Sequence, residues 1–336
     1  MDSLTQLTLG AAVGEAVLGR KVGRKAALWG AVCGTLPDLD VFVPFGDPVK
    51  DFTYHRSFSH SIFILTLLTP LIVWLILKLH PNSQHARTGW SWLVWLCLIT
   101  HILLDCFTVY GTQIFWPFWN NPVGWGSVFI IDPFYTVPLL IGVLCALMMS
   151  RNHPRGVLLN TAGLTFSTLY LVWSVGAQSY VTRAVEKSFA AQMISYENLL
   201  VSAGPFNTML WRIVATKSNG DYYEGYYSLL DGSEKVTLTH HESDPELLDG
   251  LEQHGQVVRL RWFTKGFYKV WQNEDAVVMT DLRMGAEPSY VFSFVVGHLA
   301  PERAVIPARR LAPERDFGQL KKAWCRIWSE NIRSCS

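Results

Sequence analysis

The sequence predicts a polytopic α-helical membrane domain of about four to five spans, followed by a soluble α+β domain with an antiparallel sheet. Three observations carry that expectation. Half of the 336 residues are hydrophobic, only 16% are charged and 14 are Trp, a balance foreign to a soluble single-core protein. Several apolar runs in the first half approach the ~20 residues that a helix needs to cross a bilayer core. After residue 176 the pattern changes to short alternating runs separated by SNGD, DGS and QNED, the mark of antiparallel hairpins. The expected domains are therefore 1–176, helical and transmembrane, and 177–336, α+β.

Taken in order, residues 4–18 are a Gly/Ala-rich apolar segment broken by Thr5, Gln6, Thr8 and Glu15. Small residues permit close approach, so this suits a helix buried against other helices. The start lacks the positive charge and cleavage site of a secretory signal and is expected to be retained. After Arg20, Lys21, Arg24 and Lys25, residues 26–45 form an apolar run interrupted by Pro37, Asp38 and Asp40, marginal as a span. The polar stretch DFTYHRSFSHS, residues 51–61, precedes the first unambiguous span at 62–79. A loop with Lys78, His80, His85 and Arg87 leads to 92–110, and the aromatic loop GTQIFWPFWNNPVGWGS follows. A span over 128–149 has Asp132 and Pro133 at its entrance, and the last span covers 156–176. In the second domain WRIVAT, YYEGYYSLL, KVTLTHH, VVRLRWFTKGFYKVW, AVVMTDLRM and SYVFSFVVG read as strand-like runs. Residues 313–332 read as an amphipathic helix packed on the sheet.

A net charge of +1 with no basic block gives no reason to expect nucleic acid. Cys33, Cys97, Cys106 and Cys145 lie in apolar segments without CxxC spacing, so they read as small core residues. Cys325 and Cys335 are the pair placed to bridge.

The chemistry lies in polar residues inside apolar segments. His101 and Asp105 are four apart within a run long enough to span, so they share one helix face, and ionisable groups in such a place are functional candidates. A His–Asp hydrogen bond gluing two helices is the structural alternative. Asp38, Asp40, His55 and His60 join them as candidate ligands. Mixed imidazole and carboxylate ligands fit zinc, manganese or iron. Six exceed what one water-keeping ion needs and suit two or three ions, with hydrolysis of a phosphate ester as the reaction type. Arg56 suits an anionic phosphate, or equally a lipid headgroup. Asp38 also reads as a turn residue after Pro37, and Asp40 as an interfacial charge. For Asp132, the N-cap of its helix with Pro133 at the first position outranks ligation. Asp2, Gln6 and Ser59 are nearby polar groups of supporting rank.

Lys and Arg in short loops mark the cytoplasmic side. If 26–45 crosses, the clusters at 20–25, 78–87 and 151–155 lie inside. Asp38, Asp40, His55, His60, His101, Asp105 and Asp132 then converge on the opposite face, joined by Asp2 and Gln6 if residues 4–18 also cross, with the second domain beside them.

The start MDSLTQ with GEAVLG, then GTLPDLDVF, HRSFSHS, THILLDCFTVYGTQIFWPF and IIDPFYTVPLL, resemble the YdjM family of membrane-bound proteins, to which metal-dependent hydrolysis is ascribed. The resemblance covers residues 1–176. The family is related to the zinc-dependent phospholipase C and P1 nuclease superfamily, whose helical sites hold clustered zinc ions. The resemblance implies that Asp38, His55, His60, His101 and Asp105 are metal ligands, with Asp40 beside them. Gln6 stands where many relatives carry His, which makes it a supporting residue or marks an altered metal position.

The expected function is hydrolysis of phosphoesters in lipid or lipid-linked substrates, with Arg56 and Asp40 as catalytic residues. A divalent metal is expected, zinc first and manganese second, in a bacterial inner membrane with the site and second domain on the extracytoplasmic side. Two rivals stand: a transporter using the intramembrane His and Asp, and a non-catalytic envelope or scaffold protein with a structural metal.

Overall fold

Glycine spacing sets the first element. In the computed structural model, which describes residues 1–149, 153–233, 235–299, 304–313 and 317–330, α1 (Ser3–Val22) and α2 (Lys25–Thr35) pack as an antiparallel hairpin. Gly10 and Gly14 of α1 lie against Gly30 and Gly34 of α2. A Cβ at Gly10 would stand 2.2 Å from the Gly30 carbonyl oxygen, and one at Gly30 would stand 2.1 Å from that of Gly10. Only hydrogen fits there, so the backbones touch. α2 ends where Pro37, lacking an N–H, begins a 3₁₀ turn over Pro37–Phe42.

That break decides the length of the run at 26–45, which the sequence left marginal as a span. An 11-residue helix is about 16 Å long, well short of a hydrocarbon core of about 30 Å. Three helical stretches are long and apolar enough to cross a membrane: Ile62–Leu79, Pro81–Cys106 and Pro154–Ala191. They correspond to α4 (Ile62–Leu79), to a 3₁₀ turn running into α5 (Arg87–Cys106), and to α7 (Pro154–Ala191); α3 (Pro48–Tyr54) precedes them. α6 (Pro133–Met148), with 16 residues, is about 24 Å long. Among the described residues the expected four to five spans thus reduce to three that meet the length.

α5 is the buried centre, packed on α1, α2 and α4, with Trp90, Leu93, Val94, Leu98 and Ile102 fully enclosed. α4 instead exposes Leu67, Leu71, Trp74 and Leu75, as a lipid-facing helix does. α7 runs unbroken through residue 176 because nothing in that stretch caps or breaks it.

The chain divides into two units, Met1–Val43 with His55–Ser174, and Pro44–Tyr54 with Val175–Ser336. In the second unit β1 (Asn198–Ala203), β2 (Leu210–Thr216), β3 (Tyr222–Ser228) and β4 (Leu238–His241) form an antiparallel sheet in that order. After α8 (Gly255–Thr264) come β5 (Tyr268–Asn273), β6 (Ala276–Asp281), the small hairpin of β7 (Gly285–Ala286) and β8 (Ser289–Tyr290), β9 (Ser293–His298), and β10 (Ala304–Arg310). The second antiparallel sheet has the order β10-β9-β6-β5.

The run read as VVRLRWFTKGFYKVW is half helix. Val257, Leu260 and Phe263 are buried at a spacing of three, a helical period, although their β-branched and aromatic types suggest strand. α9 (Phe317–Arg326) docks at its end, where Arg326 pairs with Asp231 at 2.6 and 2.7 Å. Residues 314–316 and 331–332 of the expected C-terminal helix lie outside the described residues. Cys325 is disulfide-bonded; Cys335, its expected partner, also lies outside the described residues. Cys33, Cys97, Cys106 and Cys145 are free.

A buried charge holds the two sheets. Arg212 Nε donates to Glu224 Oε1 at 2.9 Å and its NH1 to the Leu282 carbonyl at 2.8 Å. Tyr290 OH donates to Glu224 Oε2 at 2.9 Å. Burial pushes the Glu224 carboxyl up, and Arg212 beside it wins and holds it below its ordinary value. Arg212→Ala strands that carboxylate and is expected to cost about 3–5 kcal/mol, read as a fall in Tm of the purified protein.

Candidate metal centre

Three segments of the first unit bring four side chains to one point. The 3₁₀ turn after Pro37 supplies Asp38, the polar loop supplies His60, and the last turn of α5 supplies His101 and Asp105. One ligand atom from each lies within 4.8 Å of all the others. His60 Nε2 is 3.3 Å from His101 Nε2, 3.4 Å from Asp38 Oδ1 and 3.2 Å from Asp105 Oδ2. His101 Nε2 is 3.5 Å from Asp38 Oδ1 and 3.4 Å from Asp105 Oδ2.

The far side of each ring decides what this point is. His101 Nδ1 donates to the Gly34 carbonyl at 2.6 Å, and a carbonyl can only accept. The neutral ring therefore carries its lone pair on Nε2. Ser59 Oγ donates to Asp40 Oδ2 at 2.5 Å and so receives the His60 Nδ1–H at 2.9 Å, which leaves the His60 Nε2 lone pair facing the same point. Asp38 Oδ1 and Asp105 Oδ2 are buried without a hydrogen-bond donor. Two nitrogen and two oxygen lone pairs thus converge, which is costly unless a cation sits among them.

Spacing agrees with that. A tetrahedral zinc with bonds of about 2.0–2.2 Å separates its ligand atoms by about 3.3–3.6 Å; five of the six separations here are 3.2–3.5 Å. The residues fit one divalent ion.

A second layer aims the first, as buried metal ligands require. Asp105 Oδ1 accepts from Gln6 Nε2 at 3.0 Å and from Arg56 NH2 at 3.3 Å, and the Met1 amine also reaches it. Its other oxygen is thereby left for the cluster. Gln6 Nε2 also donates to the His101 carbonyl at 3.2 Å, and Gln6 Oε1 is buried without a partner.

Asp40 accepts from the Arg56 N–H at 3.0 Å as well as from Ser59, and its Oδ1 meets His55 Nδ1 at 2.7 Å. Burial pushes the Asp40 carboxyl up, and the His55 bond and its other donors bring it below its ordinary value. Asp40 is therefore a carboxylate at neutral pH. Ser59→Ala removes the link from His60 to Asp40 and is expected to weaken metal binding about 10- to 100-fold, measured by competition with a chromophoric chelator.

Of the sequence-derived site residues, the structure brings Asp38, His60, His101 and Asp105 together. His55 and Asp40 bond to each other beside them, and His55 is outside the cluster. Arg56 is buried, with φ +62°, a left-handed conformation that few non-glycine residues adopt. Its NH1 donates to Thr108 Oγ1 at 3.1 Å and it lies 5.1 Å from the Tyr110 ring centre, while its Nε is buried without a partner. Asp2 caps α1, accepting from the Leu4 and Thr5 N–H groups at 3.1 Å. Asp132 caps α6, accepting from Phe134 N–H at 3.0 Å and Tyr170 OH at 2.8 Å. The sequence reading missed the Gly34 carbonyl, Thr108 and Tyr110. Gly34 gave no side-chain signal; Thr108 and Tyr110 lay in the quoted THILLDCFTVY run, three and five residues past Asp105.

Comparison with known proteins places these residues in a family. "Uncharacterized protein YfhP" of Bacillus subtilis (strain 168) is 25% identical over 320 residues, covering 89% of this chain and 92% of that protein. No solved structure matches. The family model described as YdjM inner membrane protein matches residues 1–181, more than half of the 336 and including all four cluster residues. With its apolar helices, the chain belongs to the YdjM inner membrane protein family as an integral membrane protein.

Proposed function

We propose that this protein is a metal-dependent hydrolase of phosphoester bonds in lipid or lipid-linked substrates, with its site and its second domain on the extracytoplasmic side of the inner membrane. The observation that carries the proposal is the convergence of four undonated lone pairs beside a buried arginine whose Nε–H has no partner. The favoured ion is zinc, with manganese second, and one ion replaces the two or three that six ligands would hold.

A divalent ion there supplies Lewis acidity and lowers the pKa of water that it binds. Arg56 offers its free Nε–H to a phosphate oxygen, while NH1 and NH2 stay on Thr108 and Asp105. Asp38, with 19% of its side chain exposed, and His55, with 23%, mark the open side. Asp40 acts through His55 and Ser59, holding the His55 ring by Nδ1. The disulfide at Cys325 supports an oxidising compartment for the second domain.

A second reading has one observation in its favour: four protein ligands suit a structural zinc, whose shell is closed. Against it, carboxylates replace the thiolates usual in such sites. The test is phosphate-ester turnover by detergent-purified, zinc-loaded protein on phospholipids and on a chromogenic phosphodiester. Turnover that disappears in His101→Ala supports the hydrolase; turnover equal in that variant contradicts it.

A further inference from the structure

We propose that the aromatic loop at residues 115–119 anchors the first unit in the headgroup region of the bilayer, and so holds the segment that carries His60 at that depth. The inference does not rest on hydrolysis. Joined to that reading, it makes the substrate a membrane lipid met at the depth of its phosphate.

The loop lacks charge and displays rings. Residues 111–131 contain no Asp, Glu, Lys or Arg, whereas an average chain has about one charged residue in four. Phe115, Phe118 and Trp119 are exposed, Phe118 at 80%. The turn is nonetheless formed: the Phe118 and Trp119 N–H groups donate to the Phe115 carbonyl at 3.1 and 3.2 Å, and the Phe115 and Trp119 rings stand 5.8 Å apart. Large rings shown by an uncharged, folded turn mark a contact surface.

The occupant follows from what the loop continues. The Phe118 ring lies 5.1 Å from that of Phe63, in the first turn of α4. Phe63, Leu67, Leu71 and Trp74 are exposed at the spacing of one helix face, so Phe118 prolongs the lipid-facing stripe past the end of the helix. Length then sets the depth. The 18 residues of α4 extend about 27 Å, close to a hydrocarbon core of about 30 Å. At its far end Lys78 lies 5.2 Å from the Trp74 ring centre, as a basic head at the other boundary does. The loop is irregular backbone, which lipid tails exclude, and it therefore lies just outside that core, where aromatic rings accumulate.

Hydrogen bonds join the loop to the site on both sides of His60. Gln113 N–H donates to the Arg56 carbonyl at 2.9 Å and Ile62 N–H to the Ile114 carbonyl at 3.0 Å. Ser61 Oγ donates to the Trp116 carbonyl at 2.6 Å. Where the rings settle, residues 56–62 settle with them.

The test uses the full chain in phosphatidylcholine vesicles, with an environment-sensitive dye on Phe118→Cys or Trp119→Cys and the unsubstituted protein labelled in parallel as background. Both side chains are exposed, so neither substitution empties the core. At both positions, lipid spin-labelled on its headgroup is expected to quench the dye more than lipid spin-labelled at mid-chain. Leu71→Cys, halfway along α4, is expected to reverse that order. A loop dye quenched by aqueous iodide and by neither lipid lies in water and overturns the proposal. A blue-shifted loop dye that neither lipid nor iodide reaches is covered by protein, which overturns it as well, and stronger quenching by the mid-chain label overturns the depth. The readout needs no turnover, so absence of hydrolysis would overturn the proposed function and leave the anchor standing.

Discussion

Asp105→Asn is expected to abolish tight divalent-metal binding while leaving the protein folded. The reason lies in how the side chain is held. Gln6 Nε2, Arg56 NH2 and the Met1 amine all donate to Oδ1, so an amide here keeps its carbonyl oxygen on that side. Its NH2 then replaces Oδ2, 3.2 and 3.4 Å from the two Nε2 atoms, and donates to lone pairs that a cation otherwise satisfies. The variant loses a charged ligand and also stabilises the metal-free arrangement. Since disturbing a supporting residue alone costs about 10- to 100-fold, the loss is expected to exceed ~100-fold. Chelator competition reads the affinity. A thermal scan in the presence of a chelator is expected to show a Tm no lower than that of the parent protein.

Gly10→Ala is expected to damage stability and metal binding together. Its Cβ would lie 2.2 Å from the Gly30 carbonyl oxygen and 2.9 Å from Gly34 Cα, and both are backbone atoms that cannot turn aside. The hairpin must separate, an overpacking cost of about 1–3 kcal/mol. Separation also carries the Gly34 carbonyl away from His101 Nδ1, which orients a ligand. Gly176→Ala is the matched control, because nothing lies within 4 Å of its Cβ position; its Tm is expected to hold or rise. A Gly10→Ala protein with parental Tm and parental zinc affinity would refute this link between hairpin packing and site.

Much of the cluster was legible because its signals are local. His101 and Asp105 are an i, i+4 pair in a helix that should be apolar, and Asp38 follows the proline that ends α2. Asp132 was legible as a cap for the same reason, since Asp-Pro at the start of an apolar run has one common use. His55 was not separable from His60. A ligand and the residue that supports it are the same chemical types, and only the Asp40–His55 bond tells them apart. The run at 26–45 was legible as marginal because Pro37 interrupts it, and the 11-residue α2 falls short of the length needed to span. α8 was read as strand because Val, Phe and Trp outweighed the spacing of its buried positions. The packing of α3 was invisible, since Phe52 finds Phe263 and Phe292 across more than two hundred residues and no periodicity reports such a pairing.

The most direct test of the central claim is the metal content of the purified protein after zinc loading and gel filtration, parent beside His60→Ala, His101→Ala. One equivalent of zinc per chain in the parent and none in the double variant is the expected result. Equal zinc in both, or none in the parent, would contradict a metal centre built from Asp38, His60, His101 and Asp105.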